Sequence, residues 1–452
     1  MFNSLLTIFY MKHYLITFLF LITFFNANSQ TPNILFVIAD DMGTDATNGY
    51  FNHTISATTP TLDSLRNIGI TFKNVWAYPV CTPTRASIMS GKYGVKTGVL
   101  TVPEHLDTSH TSLFKRLKQN SNQYTGAVVG KWHISHPTNP LHPLEHGVDY
   151  YMGLLEGFPA DYYVWNKTYN GTTALDSTYI SETITDSAIN WINNQPNKWL
   201  MWLAYPSPHT PFHLPPSYMY SISPTGTNYR KFVAMIESVD YELNRVLSSL
   251  DSVTRANTVV IFIGDNGTTN QVLKQYPAGR GKGTLYQGGI RVPMIVAGKN
   301  VSRAGVMDTS LINVLDIHAT ILELAGTILP GGINNSLSFK PLLSGVSQST
   351  RDYDYMEINN RTGVKGYTIR DLTYKLIKFD NGTEEFYNLK TDSFELSNLM
   401  LGTLTAQELA IKLDLETEAS QIRNAWSCKD YIQNGDETGI DCGGTYCQPC
   451  LI

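Results

Sequence analysis

"NILFVIADD", residues 33–41, contains an unbroken apolar run from Ile34 to Ala39 and ends in two aspartates. The run is too short for a helix buried all round, and it is rich in β-branched and aromatic side chains. It therefore reads as a strand covered on both faces. Four further stretches have the same character: "TGAVVG" (125–130), "WLMWLAY" (199–205), "TVVIFIG" (258–264) and "VPMIVAG" (292–298). Between them lie helical patterns. From Asn228 to Ser252, Phe232, Ile236, Val239, Leu243, Val246 and Leu250 recur at three- and four-residue spacing. Thr309 to Gly326 is expected to be a second helix, ending at a glycine suited to a helix C-terminus. Strands alternating with helices predict an α/β fold: a large mixed, mostly parallel sheet covered by helices on both faces.

Beyond about Gly345 the pattern changes. "YDYMEI", "KGYTIRD", "YKLIKF" and "EFYNL" alternate apolar and polar residues, with Asp380-Asn381-Gly382 as a turn, and predict a small antiparallel sheet in an α+β subdomain. At the other end, Met11, Lys12 and His13 precede "YLITFLFLITFF" and the small residues of "NANSQ". This reads as an export signal cleaved near Ser29, since the apolar run falls short of the ~20 residues that span a bilayer. The expected divisions are a signal peptide at 1–29, a catalytic α/β domain at 30–345, the smaller subdomain at 346–425 and a Cys-rich tail at 426–452. The mature protein is expected to be periplasmic, cell-surface or secreted, with no stable membrane span.

The formal net charge of −5 and the absence of a basic stripe argue against a nucleic-acid partner. Cys428, Cys442, Cys447 and Cys450 crowd a polar, Gly-rich tail, where an oxidising compartment favours two disulfides over zinc at the CxxC of Cys447 and Cys450. Cys81 stands apart from them. It reads either as a buried structural thiol or as a residue with a chemical task.

In open α/β sheets, sites form at the carboxyl ends of the strands. The first run ends in Asp40-Asp41, the third in "PSPHTPFH" (206–213) and the fourth in Asp265-Asn266-Gly267. Each acidic pair alone could be a helix cap or a turn. Together at strand ends, three carboxylates and an amide make a site for a hard cation. Lys131 and His133 follow the second run in "GKWHIS", His209 lies between prolines, and Lys282 stands among glycines in "GRGKGTLYQGGIRVP". Beside a metal these cationic groups suit a compact tetrahedral anion.

"CTPTRASIMSG", residues 81–91, resembles the sulfatase signature C-x-P-x-R, and "ADDMG", "GKWH", "PHTPF", "GDNG" and "GKGTLYQGGIRVP" are similar to other sulfatase segments in the expected order. The resemblance continues into "YKLIKFDNGTEEFYNLKTDSFELSNL", which is similar to the family's C-terminal subdomain. It implies an alkaline-phosphatase-like fold and an arylsulfatase-like sulfuric ester hydrolase. It also implies that Cys81 is oxidised to formylglycine by a formylglycine-generating or anaerobic sulfatase-maturating enzyme that reads Pro83 and Arg85. The hydrated aldehyde would attack sulfur with one hydroxyl and use the other to break the resulting ester. By the same resemblance Asp40, Asp41, Asp265, Asn266 and residue 81 hold Ca2+, or Mg2+. Arg85 holds the hydroxyls, and Lys131, His209 and Lys282 grip the sulfate. Lys282 with His209 protonates the leaving alcohol, and His133 takes the proton during release. Ser135 and Met89 depart from the family's usual Gly and Leu.

The substrate implied is a sulfated polysaccharide or oligosaccharide, or a small aryl sulfate ester. In "LLEGFPADYYVWNKTYNGTT" (154–173), Tyr162, Tyr163 and Trp165 either form a sugar-reading rim or pack on the sheet. Two other readings compete: a phosphomonoesterase or phosphodiesterase of the same superfamily, and a non-catalytic exported carbohydrate-binding or attachment protein.

Overall fold

The structure is a computed structural model that describes residues 31–424 and 450, except 52–54, 121–123, 137, 224–225, 330, 346–349 and 360–362. The signal segment therefore lies outside the described residues, as do Cys428, Cys442 and Cys447. "NILFVIA" forms β1 (Asn33–Ala39) at the centre of the large sheet. Ile34, Phe36 and Ile38 enter one apolar cluster, while Leu35, Val37 and Ala39 enter another. Successive side chains of a strand point to opposite faces, so both faces of this strand are buried, which is why it lacks polar alternation.

The other strands of this sheet are β2 (Ile70–Trp76), β3 (Tyr124–Gly130), β4 (Tyr150–Gly153), β5 (Trp165–Tyr169), β6 (Thr172–Asp176), β7 (Lys198–Tyr205), β8 (Thr258–Gly264), β9 (Met294–Gly298) and β10 (Val306–Asn313). Their order is β10-β2-β9-β8-β1-β7-β3-β4-β5-β6. The central strands are parallel and in register: Ala39 lies opposite both Tyr205 and Gly264, and Gly130 opposite Ala204. Four strands thus stop at one level, and the residues that follow them emerge side by side. The sheet is mixed because β9 runs antiparallel to β8 and β2, and β5 runs antiparallel to β4 and β6.

Helices α1 (Pro60–Ile68), α3 (Ile180–Asn193) and α4 (Asn228–Ser249) cover one face. Helices α2 (Cys81–Ser90) and α5 (Asp316–Leu324) cover the other. The α4 periodicity places Phe232, Ile236, Val239, Leu243 and Val246 in the core as expected. The helix expected from Thr309 instead begins at Asp316. Leu311 to Asn313 complete β10, paired in parallel with β2 from Asn74 to Trp76. Helical spacing within a short apolar run cannot be told from a doubly buried strand, and here pairing with β2 decides. Gly326 does terminate the helix region, with φ of 94°.

The smaller sheet is antiparallel, in the order β11 (Asp354–Asn359), β12 (Lys365–Arg370), β13 (Tyr374–Phe379) and β14 (Glu384–Asn388). Gly382, with φ of 88°, supplies the left-handed residue that the β13–β14 turn needs. Helix α6 (Ala406–Asn424) packs Leu415 and Ala419 against Tyr355, Leu376 and Phe386 of this sheet.

Candidate active site

The level strand ends bring the sequence-predicted residues together. Asp40 and Asp41 follow β1, Lys131 follows β3, His209 lies in the loop after β7, and Asp265 and Asn266 follow β8. Asp41 and His133 have φ of 64° and 56°, an unusual region for residues with a side chain and one that concentrates at functional sites. The Asp41 amide donates to Asp265 Oδ1 at 3.1 Å, and the Asp40 amide to the Ser207 carbonyl, also at 3.1 Å. These bonds hold the sharp turn that sets two successive carboxylates at one centre.

Cys81 opens α2, a helix buried along its whole length. Thr84 Oγ1 accepts from the Tyr78 amide at 3.0 Å before the helix, and the last turn closes on Gly91 with φ of 68°. Pro83 is tolerated because it stands in the first turn, where amides have no intrahelical partner. Residues four apart share a helix face, so the spacing of Cys81 and Arg85 aims both at the strand ends.

Cys81 Sγ lies 3.3 Å from Asp40 Oδ1 and 4.0 Å from Asp41 Oδ1. Lys282 Nζ donates to Asp41 Oδ1 at 2.5 Å and lies 3.4 Å from the sulfur. Lys131 pairs with Asp40, both fully buried. His209 Nε2 lies 3.7 Å from Asp41 Oδ2, while its Nδ1 donates to the Thr210 carbonyl at 2.8 Å. Arg85 directs Nε and Nη2 to Asp265 Oδ2 at 3.1 and 2.8 Å, and Nη1 to the Lys131 carbonyl at 2.7 Å. The guanidinium thus fixes a carboxylate and the Lys131 backbone together.

Burial would raise the pKa of Asp40, but Lys131, His209 and Arg85 more than offset it and hold the carboxyl below its ordinary range. Burial and Asp40 push the Cys81 thiol up. Burial pushes His133 well down, with Lys131 adding to the effect, and burial also lowers His209. Both imidazoles are therefore neutral at ordinary pH in this arrangement, and the thiol is protonated.

Donor atoms of Asp40, Asp41, Cys81 and His209 all lie within 4.8 Å of one another. Asn266 donates Nδ2 to Asp41 Oδ1 and to the Gly267 carbonyl, leaving its buried Oδ1 without a partner among the described residues. An unpartnered amide oxygen beside three carboxylates fits a hard divalent cation.

The family profile for Sulfatase matches residues 32–327, and the profile for N-sulphoglucosamine sulphohydrolase, C-terminal, matches residues 281–424. The chain belongs to the sulfatase family. It is 28% identical to arylsulfatase J of Mus musculus over 66% of this chain and 53% of that protein, so it spans about half the length of that relative. It is 25% identical to N-acetylgalactosamine-6-sulfatase of Mus musculus over 79% of this chain and 74% of that protein. Among solved structures, Ps i-CgsB superimposes with a TM-score of 0.74 at 25% identity, covering 89% of this chain and 94% of that one. BT4656, solved with D-glucosamine-2-N,6-O-disulfate, gives 0.75 at 21% identity over 88% and 99%. These likenesses bear out the alkaline-phosphatase-like α/β fold.

Of the two readings open for residues 154–173, packing on the sheet holds for Tyr162 and Trp165. Tyr162 and Trp165 are buried in the core. Tyr162 donates to the Pro206 and His209 carbonyls at 2.9 and 2.7 Å, and Trp165 Nε1 to the Thr178 carbonyl at 3.1 Å. Tyr163 donates to the Leu214 carbonyl at 3.0 Å. These rings brace the His209 loop and the sheet. Phe158 reaches the site with its ring, stacked on His209 with centroids 5.0 Å apart and planes at 19°. Next to it, a Cβ on Gly157 would come within 2.6 Å of His133 Nε2. The glycine directly before an aromatic residue is the available signal, since a glycine often marks close approach to a neighbour.

Proposed function

We propose that this sulfatase-family chain is an exported enzyme that hydrolyses sulfate esters of a sulfated poly- or oligosaccharide, using a formylglycine formed from Cys81 and a divalent cation, calcium or magnesium. The observation that carries the reading is the position of Cys81 Sγ, 3.3 Å from Asp40 and 3.4 Å from Lys282 at the common edge of the central strands. A protonated thiol there would be a poor nucleophile, whereas a hydrated aldehyde offers two hydroxyls at the same point. Because α2 is buried throughout, an enzyme that reads Cys81, Pro83 and Arg85 meets them before the chain has folded. The carbohydrate class draws support from the relative that acts on N-acetylgalactosamine 6-sulfate by name. Export draws support from the leader sequence; among the described residues no helix is long and apolar enough to cross a membrane. Two tail disulfides among Cys428, Cys442, Cys447 and Cys450 remain part of the proposal.

Asp40, Asp41, Asp265 and the Asn266 amide oxygen would hold the cation together with residue 81. Once bound, the ion would lower the pKa of the attacking hydroxyl and offset charge on the sulfuryl oxygens. Lys131 and Lys282 then turn from the carboxylates to the substrate sulfate. Lys282 supplies a proton to the free Nε2 of neutral His209, which hands it to the departing alcohol as residue 81 takes the sulfuryl group. His133, neutral through burial, accepts the proton of the second hydroxyl as sulfate leaves and the aldehyde re-forms.

The test compares 4-nitrophenyl sulfate with 4-nitrophenyl phosphate, using protein in which intact mass confirms conversion of residue 81. Sulfate hydrolysis is expected to dominate, and Cys81→Ala to lose at least about 10^3-fold in kcat/KM. Preference for the phosphate ester, or full activity in Cys81→Ala, defeats the reading.

A further inference from the structure

We propose that Phe158 is the specificity residue that contacts the alcohol part of the substrate, the ring to which the sulfate is attached. This rests on the sulfate-ester reading above and goes one step further, from the group being cut to the surface that meets the rest of the molecule.

The segment carrying Phe158 is tied to the site on both sides. The Trp132 and His133 amides donate to the Leu154 and Leu155 carbonyls at 2.9 and 3.1 Å, so residues 154–155 run alongside the strand extension that holds Lys131 and His133. Gly157 then lies against the His133 ring, where a side chain would collide with it. Phe158 follows and stacks on His209. One dipeptide therefore touches both histidines of the site. Yet Phe158 keeps 50% of its surface exposed, although Tyr162 and Trp165 of the same stretch are 1% and 3% exposed.

A half-exposed apolar ring at the edge of a charged pocket has a restricted use. Sulfate is bound by cations and hydrogen-bond donors, which Phe158 does not offer. The ring can only meet the part of an ester that is not sulfate, through the flat face of an arene or the C–H face of a sugar. Its stacking partner His209 is the group assigned to protonate the leaving oxygen, so the atoms next to that oxygen lie within its reach.

A merely structural ring would act through His209 and disturb sulfate binding and proton transfer. A leaving-group contact would not. Steady-state kinetics of Phe158→Ala and Phe158→Tyr with 4-nitrophenyl sulfate, with inorganic sulfate as a competitive inhibitor, separates the two. For Phe158→Ala the expected result is a KM raised about tenfold, with kcat, its pH profile and the sulfate inhibition constant unchanged. Phe158→Tyr is expected to restore the KM. An unchanged KM in Phe158→Ala overturns the inference, as does a sulfate inhibition constant that rises in parallel. A converted wild-type protein that cleaves no sulfate ester sinks the functional reading and this inference together, whereas the first two outcomes sink this inference alone.

Discussion

Two buried charge networks in this molecule are built alike and finished differently. At the edge of the large sheet, Arg85, Lys131 and Lys282 meet Asp265, Asp40 and Asp41. Behind the small sheet, Lys375 meets Glu395, both fully buried. There each charged atom has a partner: Lys375 also donates to the Leu285 carbonyl at 2.7 Å, and Glu395 Oε2 accepts from the Gln287 amide at 2.7 Å. At the large-sheet edge, by contrast, Asn266 Oδ1 and His133 Nδ1 have no partner among the described residues. A buried pair in which each polar atom has a partner is a fixed joint, whereas a cluster with unsatisfied atoms is poised to exchange its partners for a ligand. The joint also serves the cluster. Leu285 and Gln287 belong to the loop that carries Lys282, and Arg280 in that loop donates to the Phe394 carbonyl at 3.1 Å. The small sheet thus anchors a side chain of the site.

The comparison predicts opposite outcomes for two lysines. Lys282→Met is expected to lower kcat/KM by about 10^2-fold or more, through lost stabilisation of the sulfuryl charge, with little change in stability. Its side chain is 18% exposed, so water can reach the atoms it leaves. Lys375→Met leaves Glu395 buried without its cation and is expected to cost about 3–5 kcal/mol in denaturant unfolding. A stable Lys375→Met protein, or an unfolded Lys282→Met one, would break the distinction.

Chelation probes the unsatisfied side of the same comparison. Adding calcium to chelator-treated wild type is expected to raise unfolding stability by about 2.7 kcal/mol at a hundredfold excess over Kd. Asn266→Ala and Asp41→Asn should reduce that gain, and Lys375→Met should leave it intact. A stability that ignores calcium and magnesium alike would mean that the cluster is as closed as the joint.

How far these networks could be read in the sequence follows from what each depends on. The central strands were legible because burial on both faces leaves a continuous apolar run, and the site because parallel strands in register deliver their next residues to one edge. Asp40, Asp41, Lys131, His209, Asp265 and Asn266 needed only that rule. Strands β2, β5 and β6 were not legible: "ITFKNVW" is interrupted by Lys73 and Asn74, and the residues of β6 are largely exposed. Strand β10 reads as part of a helix because its apolar residues run on into α5. The Lys375–Glu395 joint was invisible for another reason. Its partners come from separate segments, and no local pattern announces that two isolated charges will be buried together. Phe158 does not stand out in the sequence beside Tyr162, Tyr163 and Trp165, because composition names an aromatic loop without saying which rings turn inward.

A milder test removes charge from the joint while keeping its shape. Glu395→Gln retains an oxygen for the Gln287 amide or for Lys375 but no longer neutralises the lysine. Loosening the Lys282 loop in this way is expected to lower kcat/KM about five- to tenfold, a misplacement effect. If activity is untouched while stability falls, the small sheet supports the fold alone and does not position the site.

The finest test concerns Asp354, at the start of the small sheet. Its Oδ1 accepts from Asn313 Nδ2 at 2.7 Å and from the Tyr355 amide at 3.0 Å, but Oδ2 has no partner, and nearby Arg351 is committed to Asp316. Burial pushes this carboxyl from 3.8 up to about 8, with Arg351 only partly opposing. The small-sheet region therefore neutralises its spare carboxylate with a proton, where the large-sheet cluster is suited to a metal ion. In the window between those two values the folded protein holds a proton that the unfolded chain has released. Folding stability from this group is complete below the lower value and declines as pH rises toward the upper one. Asp354→Asn carries no such proton and should flatten that part of the stability–pH curve, leaving the variant closer to wild type at pH 5 than at pH 8, where it should be the more stable of the two. Parallel curves for the two proteins would show that Asp354 is ionised in the fold, and that the small-sheet region, unlike the large-sheet cluster with its three paired cations, tolerates a buried carboxylate without one.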